Sequence, residues 1–283
     1  MTVRGGMADI GGRRLRYIRA GPADPGHTPL IVCEHGAFGC AVDWDVVQTR
    51  LAAISLRSLA YDRAGLGDSD PGVEPRDGRA MVDDLAALLG VLGETGPVLL
   101  VGHSMGGLMV RLFALTRPAQ AVGLVLVDAM TPDVIDIPGG RRAIIAFGHL
   151  LQAASLVAHL GLMVPVSQIS GNLIGLTGTA AREKRRIHAS PRHARWAAAE
   201  VRSWPAISAL AGASDLSPDL PVAVVTAGAF RADHLVKQLQ VNPAERARRG
   251  YVEHVAGSTH ANLLGPRHAD AVVRGVAHVL AMA

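Results

Sequence analysis

The chain has 283 residues, 49% hydrophobic and 18% charged, which excludes a disordered polymer and leaves room for one large core, or a core carrying an insertion. A formal charge of +4 is too small an excess to mark a nucleic-acid binder, and the basic runs at residues 13–16, 182–186 and 246–249 have no interleaved aromatic residues for base stacking, so they read as solvated faces. The two cysteines, Cys33 and Cys40, form no CxxC pair and exclude a disulfide framework or zinc site; with no apolar signal-peptide core in residues 1–12, a cytoplasmic setting is expected.

Short apolar runs alternate with helical patterns, which predicts a mainly parallel sheet covered by helices. A strand is expected over Leu15–Arg19, before a Gly21-Pro22 turn, and another over Leu30–Cys33, ending in Glu34-His35-Gly36. Ser55–Tyr61 closes in the glycine-rich bend Asp62-Arg63-Ala64-Gly65-Leu66-Gly67. Asp77–Leu92 carries Met81, Leu85, Leu88, Leu89 and Leu92 at helical spacing. Pro97–Val101 reads as a strand, Met105–Thr116 as the helix after it, stopped by Pro118, and Val122–Val127 as a strand ending in Asp128. From Thr131 to about Asp219 the strand rhythm ceases and the pattern is helical. Strands resume at Pro221–Thr226 and Gly250–Val255, and an amphipathic helix over Pro266–Met282 closes the chain, with Pro266 suited to its first turn.

Gly102-His103-Ser104-Met105-Gly106 lies between a strand and a helical pattern, the context a nucleophile elbow needs. The strand turns sharply into the helix with Ser104 at the apex, and the glycines let the flanking backbones approach. The helix start aims free N–H groups at charge developing near Ser104, the N–H of Met105 among them. A second oxyanion donor is expected from the N–H of Ala37, exposed by Gly36; His35 reads as a structural hydrogen-bonding residue.

His-Gly at 35–36, Tyr61-Asp62-Arg63-x-Gly-x-Gly, Gly-His-Ser-Met-Gly-Gly at 102–107 and a late histidine together resemble the α/β-hydrolase family, over nearly the whole chain outside the 131–219 stretch. The resemblance implies an α/β-hydrolase fold: a twisted, mainly parallel sheet flanked by helices. Residues 1–130 and 220–283 would form the core, with a helical cap, 131–219, inserted after the sixth strand and over the sheet's C-terminal edge. Of twelve histidines, the resemblance selects His260, in the Gly257-Ser258-Thr259-His260 loop after the last strand, as general base. His103 adjoins the nucleophile, and its side chain is expected to point away from that of Ser104.

The acid departs from the family's usual pattern. Three residues past Gly228, where most members carry it, stands Arg231, and the nearest carboxylate is Asp233. Some members place the acid after the preceding strand, where this chain has Asp128. Asp128 is the favoured acid, Asp233 the alternative, and an Asp128 that only caps the entrance to the insertion the bland reading.

Within the insertion, Ala143–Val164 is 22 residues without a charge. Its length suits a membrane span, but His149, Gln152, Ser155 and His159 recur on one helical face, so a cap helix or helix pair broken at Gly148 or Gly161 is expected, with no transmembrane span. A lid of this kind implies an apolar pocket and a small-molecule substrate, an ester of hydrophobic character. Such helices also supply dimer interfaces, so a homodimer is a partner the sequence allows. No metal or organic cofactor is needed for Ser-His-Asp acyl transfer. The same constellation serves lactonases, amidases, carbon–carbon hydrolases and cofactor-free haloperoxidases, and the fold also serves as a non-hydrolytic small-molecule receptor. Haloalkane dehalogenases and epoxide hydrolases of this fold use Asp at the elbow, against which Ser104 speaks.

Overall fold

The computed structural model describes residues 2–23, 26, 28–229 and 234–283. Eight strands form one sheet in the order β1-β2-β4-β3-β5-β6-β7-β8: β1 (Thr2–Asp9), β2 (Arg14–Gly21), β3 (Leu30–Glu34), β4 (Ser58–Tyr61), β5 (Val98–His103), β6 (Ala121–Val127), β7 (Val222–Ala227) and β8 (Gly250–Val255). β1 and β2 run antiparallel at one edge, and β3 to β8 are parallel. β3 to β7 are buried on both faces, which is why they read as apolar runs rather than alternating ones, whereas the edge strand β8 is half-exposed.

Alternate strand residues feed two cores. Ile31, Cys33, Leu99, Val101, Val125 and Val225 pack toward α1 (Asp45–Ala53) and α9 (Ala269–Met282). Val32, Leu100, Leu124, Leu126 and Val224 pack on the other face, toward α2 (Gly78–Val91), α3 (Gly106–Thr116) and α8 (Leu235–Arg246). Asp77 caps α2, its carboxylate accepting the N–H of Ala80 at 2.8 Å.

Between β6 and β7 the chain forms a short 3₁₀ turn, Pro132–Asp136, then α4 (Gly140–His159), α5 (Met163–Ser170), α6 (Gly178–His188) and α7 (Pro191–Gly212). The charge-free run divides between α4 and α5 at Gly161, whose φ of 73° an L side chain seldom adopts. Among the described residues no helix is long and apolar enough to cross a membrane. α4 packs on α7, and Trp196, Ala197, Val201 and Ile207 of α7 bury in one cluster with Met105 and with Leu108 and Met109 of α3. The polar residues of α4 do not stay together: Ser155 is buried and donates to Pro191 O at 3.0 Å, while His149 and Gln152 are exposed.

Several elements depart from the sequence reading. β1 is an edge strand with two glycines and no apolar run, held by its ladder to β2. α1 and α8 were not expected, because their patterns are short and interrupted by polar residues. The fourth strand starts at Ser58 rather than Ser55, since Ser55 sits in a turn with φ 62°.

Candidate active site

β5 ends at His103, and α3 begins at Gly106. Ser104 occupies the turn with φ 55°, a left-handed conformation costly for a non-glycine residue. Its backbone is fixed from the next strand: Ser104 N–H donates to Val127 O at 3.1 Å, and Met130 N–H donates to Ser104 O at 2.9 Å. The glycines have steric reasons. A Cβ on Gly106 would lie 2.4 Å from Glu34 O, and one on Gly36 would lie 2.8 Å from Ser104 Cβ. The β3 loop thus rests directly against the apex residue.

Asp128 sits at the tip of β6, also left-handed at φ 40°, a conformation Asp tolerates better than most residues. One carboxylate oxygen, Oδ2, accepts from His260 Nδ1 at 2.6 Å. The other, Oδ1, accepts from Ala227 N–H at 3.0 Å and from Lys237 Nζ at 2.9 Å. Burial opposes ionisation of Asp128 most strongly, but the hydrogen bonds from His260, Lys237 and Ala227 together hold the carboxyl well below the usual carboxylate range. With Nδ1–H committed to Asp128, His260 keeps Nε2 as its acceptor nitrogen, the tautomer a proton-abstracting imidazole requires.

His103 packs against His260. Its Nε2 donates to the His260 carbonyl at 3.0 Å, and the two rings lie 4.6 Å apart. Burial, then the neighbouring His260, pushes its pKa down to about 3, so it acts as a neutral brace.

The loop carrying Ala37 is tied down by a buried guanidinium. Arg63 donates through Nη1 to His35 O at 2.7 Å and through Nη2 to Gly36 O at 3.1 Å. Gly36 O also accepts from Gly39 N–H at 3.1 Å and from His35 Nδ1 at 2.8 Å. In a trans peptide the C=O and the following N–H point in opposite directions, so anchoring Gly36 O aims the Ala37 N–H away from Arg63. Arg63 is itself gripped by Glu34 and, in a two-nitrogen fork, by Glu200 of α7, with Nη2 to Oε2 at 2.7 Å and Nε to Oε1 at 3.0 Å. His193 of α7 adds a second tie, accepting from Gly67 N–H at 3.0 Å and donating to Phe38 O at 3.2 Å.

Arg63 and Glu200 are 1% and 0% exposed, so replacing the guanidinium takes the main cation from two buried carboxylates, leaving Glu34 with Tyr61 and Glu200 with Arg76 at 4.0 Å. Arg63→Met is expected to cost about 3–5 kcal/mol, as for other buried pairs with one partner removed. That lowers Tm on the order of 10 °C. Thermal denaturation checks it, and a cost under about 1 kcal/mol would contradict it.

Lys237 was invisible in the sequence, since nothing in its spacing relates it to a carboxylate 109 positions away. Its effect has a sign. A depressed carboxyl contributes stability that is fully present above its unfolded pKa of about 3.9 and is lost as pH falls through the folded value. Lys237→Met raises that folded value, so the acid unfolding transition followed by circular dichroism moves to higher pH. An unchanged transition would show that Lys237 does not hold the carboxylate.

Of the residues singled out from sequence, Ser104, Asp128, His260, Ala37 and Met105 gather at the C-terminal edge of β3, β5, β6 and β8. Asp233, the alternative acid, and Arg231 lie outside the described residues. Glu200 was missed because a glutamate within a 22-residue helix gives no sign of a partner on another element.

A family model described as the alpha/beta hydrolase family matches residues 31–274. Part of the chain is 36% identical over 130 residues to the "Probable transporter efuK" of Hormonema carpetanum, covering 44% of this chain and 18% of that protein. It is 40% identical over 101 residues to the sn-1-specific diacylglycerol lipase ABHD11 of Mus musculus, covering 35% of this chain and 32% of that protein. The matched segments therefore span a third or less of these relatives' own lengths. The structure is also similar to that of the epoxide hydrolase CorEH without ligand, with a TM-score of 0.73 at 21% identity over 98% of this chain and 99% of the other. At that identity the likeness concerns the fold.

Proposed function

The chain belongs to the alpha/beta hydrolase family, and within it we propose that the protein is a serine hydrolase cleaving a carboxylic ester of a hydrophobic small molecule. The observation that carries the reading is the Asp128–His260 contact of 2.6 Å, at the same sheet edge as a strained Ser104 that begins a helix.

In this mechanism His260 Nε2 takes the proton of Ser104 Oγ as the oxygen attacks the ester carbonyl. Asp128 stabilises the imidazolium. The N–H groups of Ala37 and Met105 receive the oxyanion; Met105 supplies one of the first-turn donors that has no carbonyl behind it in the helix. His260 then returns the proton to the departing alkoxide oxygen, leaving an acyl-Ser104 ester. A water molecule, deprotonated by the same imidazole, attacks that ester; the imidazolium then returns the proton to the departing Ser104 Oγ, and the acid is released. Every proton in the cycle is handled by one histidine, and the carbonyl is polarised by the backbone donors.

Residues 131–219 act as a cap over the core formed by 1–130 and 220–283. The side chains around the elbow favour an apolar substrate: Ala37, Phe38, Met130, Ile144 and Phe147 are partly buried against the apolar cluster that contains Met105 and Met109. Serine at the apex separates this chain from a mechanism that needs a carboxylate nucleophile, whatever its structural neighbours do.

The test is turnover of a p-nitrophenyl ester series from acetyl to dodecanoyl, with pre-steady-state release of p-nitrophenol. A burst of about one equivalent, and kcat/KM rising with acyl length, are expected. Absence of turnover across the series would remove the ester-hydrolase reading.

A further inference from the structure

Of sixteen large apolar side chains exposed among the described residues, nine fall between Ile145 and Leu173, about a tenth of the chain. Such clustering along one stretch of chain departs from the ordinary scatter of single exposed apolar side chains. Arg142, Ala146, His149, Ala153 and Leu156 of α4, continued by Leu160 just past its end, follow one helical face, and all are exposed. The opposite face, with Gly148, Leu151, Ser155 and Ala158, is buried and packs toward α7. Leu156, Leu160 and Ile169 are 70%, 74% and 87% exposed.

The charge within this stretch has one sign. From residue 137 to 182 there is no Asp or Glu, and the charged residues are Arg141, Arg142 and Arg182. Arg141 and Arg142 are exposed at the first turn of α4. Arg185 of α6 lies against Gly171, at the end of α5. Arg141 has a loose partner in Asp136 at 3.5 Å, both largely exposed, and Lys184 is buried against Asp43.

We propose that the outer face of α4 and α5 docks on an anionic phospholipid surface, the exposed Leu and Ile side chains entering the acyl boundary and the flanking arginines meeting the headgroups. An apolar face edged by cations suits that interface. A second copy fits it less well. A two-fold dimer would set the patch against itself, where the arginines at its ends find no carboxylate in the same stretch. The docking does not depend on the chemistry at Ser104.

The experiment is co-sedimentation of the full chain with extruded phosphatidylcholine vesicles, with and without roughly 30% phosphatidylserine. Binding to the phosphatidylserine vesicles is expected to be at least about tenfold tighter, and to weaken at 0.5 M salt and in R141Q/R142Q. L156E/I169E is expected to lose about tenfold or more in affinity. Both of its side chains are at the surface, so its Tm should stay close to that of the parent. Equal binding to both vesicle types, or none, would overturn the proposal. So would a stable dimer in light scattering that L156E/I169E converts to monomer, since that assigns the face to a second copy.

Discussion

Ser104→Ala is expected to lower ester turnover by about 10⁶-fold, the size of loss seen when an acyl-transfer nucleophile is removed and only the oxyanion donors and substrate binding remain. The fold should be unaffected. Alanine at φ 55° bears the same backbone strain as serine, and the bonds that fix the turn, to Val127 O and from Met130 N–H, use main-chain atoms only. Steady-state kinetics with a p-nitrophenyl ester, beside a thermal denaturation curve, measures both halves. A variant retaining more than about a hundredth of the parent activity would mean that another group attacks the carbonyl.

Asp128→Asn should lower kcat by about 10⁴-fold with little change in KM. Asparagine is the informative replacement, because it tolerates the left-handed backbone at φ 40° and keeps the shape of the side chain. What it removes is the acceptor that commits His260 Nδ1–H, together with the negative charge that offsets an imidazolium. The amide can instead donate to Nδ1, leaving Nε2 protonated and unable to accept from serine. Lys237 would at the same time lose its anionic partner. Asp233→Asn, run in parallel, discriminates the two acids. A loss under tenfold for Asp128→Asn with a large one for Asp233→Asn would place the acid in the loop after β7.

What could be read in the sequence was whatever is local. The central strands β5, β6 and β7 announce themselves because burial on both faces demands runs of Val, Leu and Ala. The elbow is a five-residue pattern whose glycines answer to contacts made within a few residues and with the neighbouring β3 loop. Asp128 could be singled out because it stands at a strand tip, where a side chain points to the binding edge, and the structure brings its carboxylate to His260 across 132 positions. The β1 edge strand was illegible because its pairing with β2, not its own composition, makes it a strand. Arg63–Glu200 and Lys237–Asp128 join positions 137 and 109 residues apart on elements whose packing no spacing rule gives. The hydrogen bond from His103 to the His260 backbone is likewise a long-range contact that no spacing rule gives.

The central claim is that Ser104 is an activated nucleophile, and covalent labelling with a fluorophosphonate tests it most directly. The probe phosphonylates only a serine whose proton has somewhere to go. Intact-mass and peptide mass spectrometry of the parent protein should show a single adduct on Ser104, absent in Ser104→Ala and formed far more slowly in His260→Ala. A folded parent protein that takes up no label, or takes it up on another serine, would contradict the account.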